Sequence, residues 1–160
     1  YWGGLRLGEL LALTKQDIDF KHGIIRINKS YQRIEGEDII TDPKTPNSIR
    51  NVQMPEFLAE ELKDYIDGLY GIEDDARILP VTKSYLHHEM RRGCEISGVK
   101  RIRIHDIRHS HVSLLIDMGF SAVAIANRVG HESIDITYRY AHLFPTRQGD
   151  MAAKLNDARC

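Results

Sequence analysis

The 160-residue sequence is poor in cysteine, in proline and in long apolar runs, and its formal net charge is only −1. Its two cysteines, Cys94 and Cys160, stand far apart, so no disulfide framework is available and a reducing cytoplasm is the expected compartment. With five prolines, twelve glycines, no internal repeat and no low-complexity stretch, it is neither collagenous nor a disordered tail. No apolar run approaches the ~20 residues that a membrane-spanning helix needs, so no membrane role is expected. There is no initiator Met and no basic-then-apolar leader, and the opening Tyr-Trp-Gly-Gly-Leu-Arg reads as a cut inside a longer chain. What is there is ordinary: 42% hydrophobic and 28% charged residues, the balance of one globular domain. A chain of this length buries roughly 70% of its unfolded surface, so it needs no metal or disulfide staple.

The near-zero charge hides a strong asymmetry. Residues 56–75 carry eight acids against Lys63 alone, whereas residues 83–111 carry seven bases against three acids, with five of the eight histidines. A polyanion needs one positive surface rather than a positive total, because counterions are released only where cations meet phosphates. The same pattern also fits two solvated helical faces. Charge permits a nucleic-acid partner without demanding one.

Apolar periodicity gives an α+β fold, mostly α-helical, with one small three-stranded antiparallel sheet near the N-terminus. Leu7, Leu10 and Leu11 have helical spacing, with Thr14 and Asp17 ending or restarting a turn. Strands are expected at 24–27, 39–41 and 49–54, separated by a turn at 36–38 and a Pro-flanked loop at 42–48. Pro55 should start a helix, and Ser84 should cap the next, which ends near Gly93 or Gly98. In the last third, Ile107, His111, Leu114, Leu115 and Met118 form one stripe. Ser121 caps a helix closed by Gly130, and Ser133 caps another running to about Leu143. Residues 148–158 form a final helix anchored by Met151 and Leu155.

The polar residues worth weighing are Arg6, Lys44, His105, Arg108, His131 and one of Tyr138 or Tyr140. Each has a bland alternative. Arg6 could pair with Glu9 on the surface, Lys44 could be a solvated loop lysine, and His131 could simply follow a helix C-cap. His105 and His109, four apart, could bind a metal from one helix face, but no His-Glu-x-x-His pattern or cysteine pair completes a shell. On a helix, however, His105 and Arg108 share a face and can converge on one small anion. An arginine fork matches two phosphate oxygens at once.

Gly4-Leu5-Arg6-Leu7-Gly8-Glu9-Leu10 resembles the first arginine motif of the tyrosine recombinase (phage integrase) family, and His105-Asp106-Ile107-Arg108-His109-Ser110 resembles its His-x-x-Arg motif. Val129-Gly130-His131, followed by Thr137 and Tyr140-Ala141-His142, is similar to its Gly-His and nucleophile motif. Asp42-Pro43-Lys44-Thr45 is similar to the hairpin that carries the family's lysine. The four motifs keep the family's order across residues 4–142. Helical periodicity does not choose between Tyr138 and Tyr140; the family spacing, nine residues past the histidine, favours Tyr140.

The resemblance implies the C-terminal catalytic domain of a site-specific recombinase over residues 1–160, with core-binding and arm-binding domains outside this chain. It implies attack of a tyrosine hydroxyl on a DNA phosphodiester to give a 3′-phosphotyrosine, then strand exchange and religation with no ATP, metal or other cofactor. A phenol with pKa ~10 is only about a thousandth ionised at neutral pH, a handicap of roughly 4 kcal/mol. In this scheme Arg6 and Arg108 hold the phosphoryl charge, and His131 and His105 donate hydrogen bonds to it. His105 accepts the tyrosyl proton, Lys44 protonates the departing 5′-oxygen, and Glu9 orients Arg6. Arg50, Lys100, Arg101 and Arg103 are candidates for flanking backbone phosphates. The implied partners are double-stranded attachment-site DNA and further copies of the chain, a tetramer on DNA and a monomer as the isolated fragment, in a bacterial cytoplasm at the nucleoid. The alternatives are a type IB topoisomerase-like nicking-closing enzyme and a non-catalytic helix-turn-helix module at residues 112–129.

Overall fold

A computed structural model describes residues 1–43, 45–140, 142 and 148–158. Helix α1 (Leu7–Ala12) is followed by strands β1 (Ile18–Asp19), β2 (Ile24–Ile27), β3 (Ser30–Ile34), β4 (Glu37–Thr41) and β5 (Arg50–Gln53). Helices α2 (Glu56–Asp67), α3 (Lys83–Ser97), α4 (Ile104–Asp117), α5 (Ala122–Val129), α6 (Ile134–Tyr138) and α7 (Gln148–Asp157) complete the described chain.

The expected α+β class is present, but the strands are distributed differently. The three-stranded antiparallel sheet has the order β1-β2-β5, with Ile25 opposite both Ile18 and Val52. The strand expected at 39–41 belongs instead to a separate two-stranded ladder, where β4 pairs β3 with Tyr31 opposite Ile40. Its turn falls at Glu35–Gly36, both at positive φ, rather than at 36–38. β1, with only two residues, and β3, with Ser, Gln and Arg among its five, lack the apolar runs by which strands are recognised.

Ile25, Ile27 and Val52 of the sheet pack with Met54, Ile66 of α2 and Ile78 into one core. A second core joins Val112 and Ile116 of α4 to Ile125 and Val129 of α5, and Tyr140 packs against it. Between them, α1 lays Leu11 and Ala12 on Tyr31 of β3.

Local signals place several boundaries elsewhere than expected. Thr82, not Ser84, caps α3 by accepting from the Tyr85 N–H, and Gly98 ends it in the left-handed conformation. Pro55 starts α2 as the sequence indicates, standing at its N-cap. Ser121 and Gly130 bound α5 as the sequence indicates. Helix α6 stops at Tyr138, short of Leu143, which lies outside the described residues. Met151 and Leu155 of α7 are 54% and 72% exposed, so they anchor nothing within the described chain; Met118 is exposed too. Among the described residues, no helix is long and apolar enough to cross a membrane.

Candidate active site

Arg6 caps α1, and Glu9 stands at the third helical position, where its carboxylate reaches back to the Arg6 N–H at 2.8 Å. The same carboxylate accepts from Arg6 Nη1 at 2.7 Å, so the pair expected on the surface is turned inward, with Glu9 only 5% exposed. Glu9 also takes a two-pronged contact from Arg50, Nη1 to Oε1 at 3.0 Å and Nη2 to Oε2 at 2.8 Å. Burial raises the Glu9 carboxyl, but the bonds from Arg50 and Arg6 outweigh it and hold the group below the usual range. Glu9 therefore stays charged and holds both guanidiniums.

Arg108 lies on the inner face of α4, 4% exposed. Its Nη1 donates to the Gly4 carbonyl and its Nη2 to the Val129 carbonyl, both at 2.6 Å. Burial, followed by repulsion from Arg6, pulls its pKa down to about 9, which leaves it a cation at neutral pH. Arg6 Nη2 donates to the Gly130 carbonyl at 2.6 Å, and Arg50 Nε donates to the Arg128 carbonyl at 2.9 Å. Three successive carbonyls at the C-terminal end of α5 thus receive three guanidiniums, Arg50 on 128, Arg108 on 129 and Arg6 on 130. A helix C-terminus has unpaired carbonyls and a partial negative charge, so it suits this task. Gly130 makes the arrangement possible: its φ is +66°, and a Cβ there would come within 2.9 Å of Arg50 and of the Asn47 carbonyl.

His131 follows directly. Its Nδ1 lies 2.8 Å from the hydroxyl of fully buried Thr137, on α6. Burial, then the fields of Arg108, Arg6 and Arg50, push its pKa down to about 4, so it is neutral at pH 7. His105 is lowered by burial first, then by His109, Arg108, Arg103 and Arg6. Arg108 and Arg6, held on the neighbouring carbonyls of Val129 and Gly130, thus bear on both imidazoles.

Tyr140 is hydrogen-bonded through its hydroxyl to His109 Nδ1. Burial raises its pKa, and Arg108 opposes that rise. Tyr138 is 52% exposed. Of the two tyrosines, Tyr140 is the one whose hydroxyl meets α4, through His109. Lys44 lies outside the described residues, and its neighbours Pro43 and Thr45 line the cleft of about 350 Å³ that Arg6 and Glu9 also border.

Two expectations are corrected. Arg50 does not face outward for a flanking phosphate: its side chain is 6% exposed and its donors are taken by Glu9, Arg128 and Ser48. His105 is not the imidazole on the tyrosine; His109 is, with the His105 ring edge-on to it at 4.7 Å between centroids. Among the described residues, no third metal-binding side chain joins these two histidines. Lys100, Arg101 and Arg103 are exposed, although Arg103 is bonded to Asp106 across the start of α4.

Arg128 belongs to no motif legible in the sequence, yet its side chain donates to the carbonyls of Gln53 and Trp2 and to His111 Nε2. It thereby ties the sheet, the N-terminal segment and α4 behind the arginines. Thr137 was visible only as part of a motif. The signal for His109 was its position beside Arg108 and one turn beyond His105.

The family described as the phage integrase family matches residues 1–147. The chain is 36% identical to the ICEBs1 integrase of Bacillus subtilis strain 168, over 96% of this chain and 46% of that protein. It is 30% identical to the integrase of Staphylococcus phage L54a, over 95% and 48%. The chain thus spans about half the length of these relatives. Among solved structures, the Tn1549 transposon integrase in complex with a circular intermediate DNA superposes with a TM-score of 0.81 at 22% identity, covering 98% of this chain and 55% of that one. The catalytic domain of bacteriophage HP1 integrase gives 0.59 at 19% identity, over 96% and 76%. These structures share the fold.

Proposed function

The chain belongs to the phage integrase family, and from that premise we propose that it is the catalytic domain of a site-specific DNA recombinase that cleaves a phosphodiester through Tyr140. The observation that carries the proposal is the row of carbonyls at 128, 129 and 130. It holds Arg108 and Arg6 on neighbouring carbonyls immediately before His131, and Tyr140 feels the Arg108 charge, which supports the reading.

In this reading the scissile phosphate sits between Arg6 and Arg108, each presenting its remaining donors to the non-bridging oxygens. His131 is neutral and donates from Nε2, because Thr137 occupies Nδ1. His105, also kept neutral, gives a further donor. Tyr140 Oη bonds to phosphorus and the 5′-oxygen departs, taking a proton from Lys44. A 5′-hydroxyl of another strand then reverses the attack. One phosphoester replaces another, so neither ATP nor a metal enters the balance. Fixed donors around developing charge are worth about 10²–10³ in rate each.

Double-stranded DNA is the proposed substrate, a choice supported by the structural neighbour solved with DNA. Lys100 and Arg101 are available for flanking phosphates. On DNA the protein works as a tetramer in which α7, with Met151 and Leu155 exposed, docks onto a neighbouring copy; free, it is a monomer. The type IB nicking-closing reading shares the chemistry and differs in making no transfer to a second duplex. A purely DNA-binding helix-turn-helix gives no role to Arg6 or Tyr140.

The test is to incubate the protein with a pool of nicked duplexes of randomised sequence, with chelator and without ATP, and to recover detergent-resistant protein–DNA adducts. Adducts enriched in one sequence, which transfer to a second duplex on chase, are expected. Absence of any adduct from the folded, DNA-bound protein overturns the reading.

A further inference from the structure

We infer that His109, rather than His105, is the group that takes the proton from the Tyr140 hydroxyl as it attacks, and returns it when the tyrosine leaves. The inference rests on Tyr140 being the nucleophile. Among the described residues, the hydrogen-bond partner of Tyr140 Oη is His109 Nδ1. The two rings lie 5.8 Å apart between centroids, tilted by 48°, with the imidazole nitrogen directed at the phenol rather than stacked upon it. A phenol has one proton to donate, so in this contact the neutral imidazole accepts at Nδ1 and keeps its own proton on Nε2. His105 is one turn earlier on α4, exposed, and meets His109 edge-on. It lines the recess beside Arg108 and Gly4, where a phosphoryl oxygen rather than the phenol would reach it.

The surroundings suit a proton transfer. Burial raises the Tyr140 pKa, so the phenol does not ionise unaided and needs an acceptor in contact. Asp106, three residues before His109 on the same helix, is kept at about 2 by the hydrogen bonds of Arg103. It therefore remains a carboxylate that stabilises the imidazolium formed at His109. The step balances: the Oη–H bond breaks as Nδ1–H forms, Oη–P forms as P–O5′ breaks, and the 5′-oxygen takes its proton from Lys44 as proposed above. In religation the 5′-hydroxyl gives its proton to Lys44 as O5′–P forms, and as Oη–P breaks the tyrosine oxygen recovers its proton from His109 Nδ1–H.

The test uses His109→Ala and His109→Gln, the second keeping a polar side chain in case alanine disturbs the packing of Tyr140 on the α4–α5 core. Each is assayed for the rate of adduct formation on the duplex recovered from the randomised pool. Each is then remade with 3,5-difluorotyrosine at position 140, whose phenol ionises more readily. Loss of a general base should slow adduct formation about 10²–10⁴-fold with DNA binding retained. The fluorinated tyrosine should restore about tenfold or more in the variants while adding little to the unaltered protein. A rate within about threefold of the unaltered protein, or a loss that fluorination does not restore, overturns the inference and leaves Tyr140 as nucleophile. Failure of the unaltered protein to form an adduct overturns the nucleophile assignment instead.

Discussion

Arg108 and Arg6 are bound to neighbouring carbonyl oxygens: Arg108 Nη2 donates to Val129 and Arg6 Nη2 to Gly130, each at 2.6 Å. Residues from opposite ends of the chain are therefore registered by one helix terminus. Whatever moves the end of α5 moves both forks together, with His131 one residue beyond.

Gly130→Ala should expose that dependence. A left-handed alanine costs about 1–2 kcal/mol. The added Cβ also meets Arg50 and the Asn47 carbonyl at 2.9 Å, for about 1–3 kcal/mol more. Denaturant unfolding should show a loss of about 2–5 kcal/mol, against about 1–2 kcal/mol for Gly36→Ala, where φ is +88° but no atom lies within 4 Å.

Glu9→Gln removes a buried charge that serves two guanidiniums. Arg50, nearly as buried, is left without its carboxylate partner. A loss of about 3–5 kcal/mol in unfolding free energy is expected, as for other broken buried pairs. A change below about 1 kcal/mol would show that the network is not held by Glu9.

Arg50 and Arg101 should behave differently towards DNA. Because the Arg50 donors are used internally, Arg50→Ala should lower stability and leave the slope of log K against log salt unchanged. Arg101→Ala, on the surface, should reduce that slope by about one phosphate's worth. A slope change with Arg50→Ala would contradict its placement.

Thr137 sets which His131 nitrogen carries the proton. Its hydroxyl lies 2.8 Å from Nδ1; donating there, it leaves the proton on Nε2 for the phosphate, the arrangement the proposed chemistry requires. Nitrogen chemical shifts should report the Nε2–H tautomer. Thr137→Val should release it and cost up to about 10²–10³ in cleavage rate, with Thr137→Ser largely preserving both. An unchanged tautomer in Thr137→Val would refute the role.

His111 gives a pH prediction. It is buried, its Nδ1 has no partner among the described residues, and burial followed by the Arg128 charge lowers its pKa to about 4. In the unfolded chain its pKa is near 6.5. Between these values the unfolded state binds more protons than the folded one. His111 therefore makes stability fall as pH falls from about 6.5 to 4, by on the order of 2–3 kcal/mol, with no effect above about 7.5. The His111 part of that slope should vanish in His111→Phe, measured by unfolding across pH; His131, lowered likewise, keeps its own share.

The legible parts of this site were the residues with a local signature. Gly130 and Ser121 bounded α5 from sequence because a left-handed cap and a side-chain cap leave distinctive residue types. Arg6, Arg108, His131 and Tyr140 were found through motif order and spacing. β3 was missed because one ladder with a polar outer face shows no apolar run, and Thr82 because Ser84 offered an equally good cap. Arg50 was misplaced because a guanidinium in a strand looks the same whether it faces phosphate or Glu9. Only the packing of β5 against α5 decides. The choice of His109 over His105 is likewise tertiary: both share a helix face, and the position of Tyr140 distinguishes them.

The most direct measurement is the identity of the residue that becomes covalently attached to DNA. Adducts recovered from the nicked-duplex pool are digested with nuclease and protease, and the nucleotide-bearing peptide is sequenced by mass spectrometry. The account predicts a phosphate ester on Tyr140 that disappears in Tyr140→Phe and persists in Tyr138→Phe. Attachment through Tyr138, or an adduct that survives Tyr140→Phe, would contradict it.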